Sequence, residues 1–371
     1  FAAAAQDLGL KYGFYISPWD LSSKWWGIKG DDGFYTDDYA KKVFLPQCEE
    51  IAEYGADQFE MWFDGASGGD HAGYYGGDYG EGKTGRRTID NATRYYDIPN
   101  LRDKIHSMCP NIILWGVGGE ARWIGNESGW AGETCWSMGD GTDGDENAWK
   151  WFPGESDAKA TTRGWFWHQG ETCKSADEMF KIYLETVGRN ATLILNFPPD
   201  QRGLLPDVDV NNLKKLGEML TERLGTDLAQ QSGVTIEAST TRANGATKTY
   251  DAKNMIDNKI DTYWAAPDGT TSDITITVAL PEAKPIHYVM MQEYIQLGQR
   301  IKGFTIETSN DGKNWTKKGG NIKTTTVGYK RIIPLNGSTS NSYDAGTTAK
   351  YVRVTITDSR ACPTLHTLSI F

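Results

Sequence analysis

Two periodicities take turns along the first two-thirds of the chain. An alanine-rich start, Phe1 to Leu8, has helical spacing that Gly9 stops. Lys11-Tyr12-Gly13-Phe14-Tyr15-Ile16-Ser17 then reads as a strand, rich in aromatic residues. Helical spacing returns from Asp38 to Tyr54, with a break expected at Pro46 and a stop at Gly55. Gln58 to Phe63 is the next strand, Ile98 to Cys109 a helix opened by Pro99, and Asn111 to Gly116 a strand again. Gly164 to His168 is expected to be a further strand. Ser175-Ala176-Asp177-Glu178 is a capping box that opens a helix to Val187. Thr192 to Phe197 is a strand ended by Pro198-Pro199, and Asp209 to Leu224 an amphipathic helix closed by Gly225.

Strand followed by helix, repeated, implies a parallel sheet. Charged residues and tryptophans gather at the C-terminal ends of these strands, which favours a (β/α) TIM-like barrel over an open sheet. Only about five strands are legible against the eight of a closed barrel. The chain also opens inside a helix without a start methionine, so a barrel missing its N-terminal part is expected. After a linker from Gly225 to Gly233 the texture changes to threonine-rich runs such as Ile274-Thr275-Ile276-Thr277-Val278, Phe304-Thr305-Ile306-Glu307-Thr308 and Tyr351-Val352-Arg353-Val354-Thr355-Ile356. Turn signals such as Asn310-Asp311-Gly312 separate them. The expected fold class is therefore α/β plus all-β: a (β/α) barrel over 1–227, incomplete at its N-terminus, and a β-sandwich over 234–371.

Composition narrows the function. A formal charge of −11 over 371 residues argues against nucleic acid or an anionic membrane as a main partner. No apolar run approaches the roughly 18 residues that a membrane span needs, so no insertion is expected. Fourteen tryptophans and 18 tyrosines fit either large cores or platforms on which the C–H faces of sugar rings stack. The five cysteines lack metal or framework spacing, so mostly free thiols are expected, with Cys135–Cys173 the one pairing worth weighing. No cofactor is expected.

The candidate chemistry lies in two segments, Phe59-Glu60-Met61-Trp62-Phe63-Asp64-Gly65 and Arg122-Trp123-Ile124-Gly125-Asn126-Glu127-Ser128-Gly129. Asp64 stands two residues after Trp62, so in a strand both project to one face, and Gly65 permits a turn beyond them. An aspartate that merely starts a loop is equally compatible with that position. Glu127 follows the strand Asn111 to Gly116 in a glycine-rich, tryptophan-flanked loop, and Glu120 and Glu133 rival it there. Tyr15, Ser17 and Trp19 share one face, as do Trp165 and Trp167; core filling and a site both fit them. His71, within the loop Gly68 to Gly82, reads as a loop residue. Asn126-Glu127-Ser128 and four other sequons read as chance matches. Two carboxylates among aromatic rings suit glycoside chemistry, in which one attacks or stabilises the anomeric carbon and the other moves a proton.

Five ordered motifs, Lys11 to Asp20, Trp62 to Gly65, Arg122 to Glu127, Gly164 to His168 and Gly188 to Asp200, resemble the alpha-L-fucosidases of glycoside hydrolase family 29 over about residues 1 to 225. The resemblance implies a retaining, exo-acting hydrolase with Asp64 as nucleophile and Glu127 as acid/base, with carboxyl groups about 5–5.5 Å apart. It also implies that Tyr15, Trp62, Arg122 and Trp165 line the sugar pocket, with Trp19 beside them. Gly125-Asn126-Glu127 looks like the branch acting on α-1,3/4-linked fucose of Lewis-type glycans, with the Gly68 to Gly82 loop as a candidate wall for the neighbouring galactose. The partners implied are fucosylated oligosaccharides or glycoproteins, in a bacterial protein that is secreted or held at the cell surface. The family's paired-histidine strand would lie before Lys11, so residues 1–371 alone are expected to be inactive. Asn254 to Trp264, followed by Ile301-Lys302-Gly303-Phe304, resembles discoidin or coagulation-factor type C sandwiches, used as scaffold or sugar binder. The Asp257/Asp261 turn there is either a structural Ca²⁺ site or, the preferred reading, an Asx-type turn. A glycan-binding adhesin with an inactive barrel, or a glycosidase for another sugar, is the alternative.

Overall fold

A computed structural model describes residues 1–371 except 19, 21–22, 27, 65–88, 90, 140–142, 149, 246, 320–323 and 337–345. The candidate residues Trp19, Gly65 and His71 and the Gly68 to Gly82 loop therefore lie outside the described residues. The chain divides into two compact units, Phe1–Arg122 and Trp123–Phe371.

The first unit holds three parallel strands in the order β1 (Tyr12–Tyr15), β2 (Gln58–Phe63), β3 (Ile113–Gly116). Around them run α1 (Ala2–Asp7), α2 (Leu45–Ala52), the single turn α3 (Ala92–Tyr95) and α4 (Ile98–Met108). The core follows from spacing. Phe44, Cys48 and Ala52 recur every four residues, and Ile98, Leu101 and Ile105 recur at three and four; both stripes are buried with Met61, Phe63 and Leu114 of the sheet. Truncating Met61, fully buried, would cost about 2–5 kcal/mol. Gln58 is a polar exception with a job: its amide donates to Ile51 O at 2.7 Å and Gly55 O at 3.2 Å, satisfying carbonyls at the end of α2. Gly13 is required because a Cβ there would stand 2.3 Å from Glu60 O of the next strand.

The break expected at Pro46 does not occur. A π turn, Ala40–Phe44, leads straight into α2 with Pro46 in its first turn. Proline lacks the N–H that an interior position would donate, and a helix that opens by one residue tolerates that loss.

The second unit starts with paired parallel strands β5 (Gly154–Lys159) and β6 (Thr192–Asn196), after the two-residue β4 (Arg122–Trp123) at the junction. Helices α5 (Ala176–Thr186) and α6 (Asp207–Leu224) accompany them. The capping box is present: Glu178 accepts Ser175 N at 2.8 Å and Ser175 Oγ accepts Glu178 N at 3.3 Å. Gly164 to His168 is not a strand; it is a run of bends in which Phe166 is 78 % exposed. The strand at that point is β5, whose Glu155, Ser156 and Asp157 are all buried.

The last part is two antiparallel sheets. One has the order β13 (Arg331–Pro334), β10 (Tyr288–Glu293), β15 (Thr364–Ile370), β8 (Trp264–Ala265). The other has the order β12 (Thr316–Lys318), β11 (Ile301–Ser309), β14 (Thr347–Ser359), β9 (Ile274–Ile286), β7 (Thr235–Ala238). Ile274, Ile276, Val278 and Leu280 alternate inward on β9, as do Val352, Val354 and Ile356 on β14, and one core fills the space between the sheets.

Cys135 and Cys173 are not joined; all five cysteines are free. Cys135 Sγ donates to Asn190 O at 3.7 Å, and burial raises the Cys173 thiol to about 11.

Candidate active site

In the first unit, register builds the site. Tyr15 pairs with Trp62 across β1 and β2, and Trp62 pairs with Trp115 across β2 and β3. Residues in register on parallel strands project to the same face, so the three rings form a row. Tyr15 and Trp62 stack at 5.5 Å between centroids, Trp62 and Trp115 at 4.0 Å. Asp64, next after β2, falls on the face of Trp62 by parity, and Tyr15 Oη donates to Asp64 Oδ2 at 2.5 Å. The carboxylate thus sits at the C-terminal ends of parallel strands, above an aromatic floor. Tyr15 is 62 % exposed and Asp64 half-buried, so a ligand can reach them. Arg122 is buried on β4. Trp115 was not among the expected site residues. Nothing in its own segment marks it, and only its pairing with Trp62 does.

The rivals of Glu127 separate by their partners. Glu120 belongs to the first unit and is tied down: one oxygen accepts His106 Nε2 at 2.8 Å, the other the Leu114 N–H at 2.9 Å. It closes the turn after β3, with Arg102 Nε 3.6 Å away. Glu133, in the second unit, is an acidic neighbour of Arg331 and, after Glu185, of Arg189. Burial first, then Arg189, pushes the nearly inaccessible Arg331 down to about 10, and Glu133 opposes that. Glu133 is thus a counter-charge for two guanidiniums.

Glu127 itself is exposed, on a loop that is rigidly held. Ile124 N donates to Glu155 O at 3.0 Å, Gly129 N donates to Asp157 O at 3.2 Å, and Ser128 pairs with Ala158. Asn126 staples the loop: its Oδ1 accepts Ser128 N at 3.1 Å and Ser128 Oγ at 2.6 Å, and its Nδ2 donates to Trp130 O at 2.8 Å. That amide, the one a glycan would modify in the sequon, is engaged in the loop. Gly129 has φ +70° and packs so closely on α5 that a Cβ would come within 2.4 Å of Ile182. Trp165, half-buried, accepts Asn196 Nδ2 at its carbonyl at 2.9 Å, and Lys159 Nζ stands 5.4 Å from its ring centroid.

For metals, no group of three or more His, Cys, Asp or Glu stands together among the described residues. The Asp257 carboxylate closes an Asx-type turn by accepting Lys259 N at 3.0 Å and Thr262 Oγ1 at 2.8 Å. No helix among the described residues is long and apolar enough to cross a membrane.

Comparison with known proteins agrees with this architecture. A family profile described as Alpha-L-fucosidase matches residues 1–223, and one described as F5/8 type C domain matches residues 235–367. Alpha-L-fucosidase 1 of Arabidopsis thaliana is 29 % identical over 347 residues, which are 90 % of this chain and 62 % of the relative. The chain thus spans less than two-thirds of that relative's length. The solved structure of a GH29 fucosidase of Ruminococcus gnavus in complex with fucose superposes with a TM-score of 0.79 at 28 % identity, covering 100 % of this chain and 74 % of the other. The fold class is accordingly the TIM-like (β/α) catalytic type followed by a type C β-sandwich. With three-fifths of its length matched by that first profile, the chain belongs to the alpha-L-fucosidase family.

Proposed function

We propose that this chain carries the catalytic residues of a retaining exo-alpha-L-fucosidase, with Asp64 as nucleophile and Glu127 as general acid/base. The observation that carries the reading is the short hydrogen bond from Tyr15 to Asp64 above the Tyr15–Trp62–Trp115 row. A nucleophilic carboxylate must be ionised, aimed and reachable; a phenol donor aims it, and the rings offer C–H stacking to a deoxy sugar. An acid must reach the leaving oxygen on a fixed arm; the stapled, exposed Glu127 loop suits that role better than the tied Glu120 or the charge-paired Glu133. Tyr15, Trp19, Trp62, Arg122 and Trp165 complete the sugar site. In this proposal the domains are a catalytic part over 1–227 and a scaffold sandwich over 234–371. The substrates are fucosylated oligosaccharides or glycoproteins, with preference for α-1,3/4-linked fucose of Lewis type, met outside the cell or at its surface.

In the first step Asp64 attacks the anomeric carbon as Glu127 protonates the departing oxygen. In the second, Glu127 takes a proton from a water whose oxygen bonds to the anomeric carbon, and Asp64 leaves as the carboxylate. The decisive test is azide rescue. With the N-terminal part expected above supplied, Asp64→Gly should lose turnover of an aryl α-L-fucoside, and azide should restore it with a β-fucosyl azide as product. Absence of that product, together with loss of turnover in Glu133→Ala but not in Glu127→Gln, would overturn both assignments.

A further inference from the structure

Asp157 of β5 meets the Glu127 segment twice. Its main-chain oxygen accepts Gly129 N at 3.2 Å, two residues after Glu127, and its Oδ1 accepts the indole N–H of Trp123 at 2.7 Å, four residues before it. Asp157 is only 7 % exposed, whereas Trp123 is 44 % exposed. A buried carboxylate needs a donor, and the indole supplies a charge-assisted one. Yet almost half of the residue stays in water, where it adds little to folding. Its orientation is fixed by the one polar atom it has. A ring held in advance loses little rotamer freedom when a ligand packs on it, so such a ring is better suited to binding than to stability.

Its place decides what it binds. In glycoside cleavage the acid protonates the oxygen of the leaving sugar, so the segment carrying the acid borders the leaving group. Resting on the reading of Glu127 above, we propose that Trp123 is the stacking platform for the neutral pyranose on the leaving side of the cleaved bond, and that Asp157 is its positioning residue. Leaving-group selectivity would then reside in the β4–β5 region.

The test uses this chain with the N-terminal part expected above supplied, carrying Trp123→Ala, Trp123→Phe, Asp157→Ala or Asp157→Asn. Lactose, which lacks fucose, is titrated by NMR, and kcat/KM is measured on a fucosylated lactose and on para-nitrophenyl α-L-fucoside. Trp123→Ala should weaken lactose binding about tenfold and lower the ratio of kcat/KM for the oligosaccharide over the aryl fucoside about tenfold, mainly through KM. Trp123→Phe should keep part of the binding. Asp157→Ala should follow Trp123→Ala, while Asp157→Asn, whose amide oxygen still accepts the indole proton, should restore the parent ratio at an unchanged thermal midpoint. Lactose binding by Trp123→Ala equal to that of the parent, no lactose binding by the parent, or an unchanged ratio would overturn the proposal. A parent that binds lactose through Trp123 but, with the N-terminal part expected above supplied, cleaves no fucoside would overturn the fucosidase reading and leave the platform standing.

Discussion

Replacing Tyr15 by phenylalanine removes one hydroxyl and keeps the ring that stacks on Trp62 at 5.5 Å. The lost interaction is a 2.5 Å hydrogen bond to a carboxylate. Bonds to charged groups contribute about 1.5–3 kcal/mol, and because Tyr15 is 62 % exposed the lower end applies. The sign of the kinetic effect depends on the step. A donor on Asp64 steadies its anionic form, so it gives no electrostatic help to attack. It does assist the second step, in which Asp64 departs from the fucosyl-enzyme as an anion. With an activated aryl fucoside, for which the first step is fast, Tyr15→Phe should lower kcat about tenfold, the equivalent of about 1.4 kcal/mol. KM should fall with it, leaving kcat/KM within about threefold, as a covalent intermediate accumulates. Steady-state kinetics, a pre-steady-state burst and intact-protein mass spectrometry after quenching would record this. A fall in kcat/KM with no accumulated intermediate, or an unchanged kcat, would refute the reasoning.

Other outcomes follow from groups already described. Glu293 is wholly buried and accepts three backbone N–H groups, from Arg300 at 2.7 Å, Ile301 at 3.0 Å and Gly328 at 2.7 Å, yet burial outweighs them and raises its pKa to about 7. The folded state therefore binds the proton more tightly than the unfolded chain. Its contribution to stability is greatest below the unfolded value of 4.5, falls as pH rises to about 7, and totals about 3 kcal/mol. Glu293→Gln should remove this slope; subtracting its urea-unfolding profile over that window from the parent's cancels the opposite slope of His366, and a zero difference would count against it. Glu120→Gln should lower the thermal midpoint, since it disturbs the His106 contact, while Glu127→Gln should abolish turnover of unactivated glycans; a larger activity loss in the former would reverse the two roles. Because Thr262 and Lys259 N satisfy Asp257, EDTA should shift the thermal midpoint by less than about 1 °C, and a drop of several degrees would place a cation at that turn.

Much of this arrangement is legible in the sequence wherever polarity and burial agree. The apolar runs of β2 and β3, the capping box of α5 and the parity that puts Asp64 with Trp62 are all readable from spacing. The reading fails where they disagree. Gly-Glu-Ser-Asp-Ala-Lys looks like a loop, yet it is β5, because its acids are buried. Gly164 to His168 has the aromatic texture of a strand but lacks the burial that would make it one. Pro46 signals a break that a π turn absorbs. Among the acids, Glu120 is distinguishable from Glu127 only once His106, 14 residues away, is seen beside it.

Asn190 links the two halves of the second unit. With φ +66°, it donates to Cys135 O at 2.9 Å and Ser137 Oγ at 3.0 Å while its Oδ1 accepts Tyr329 N at 2.7 Å. Gln299 joins the same knot through Ser137 N at 2.8 Å and Cys135 O at 2.9 Å, and Cys135 N donates to Thr326 Oγ1 at 2.9 Å. Swapping the sandwich for a module that covers the same surface without matching groups would bury these donors and acceptors unpaired, and trimming it away at the linker would hand them to water and lose the packing between the halves. Exchange is thus limited at the seam: a C-terminal cassette grafted onto this chain must bring its own equivalents of residues 299, 326 and 329.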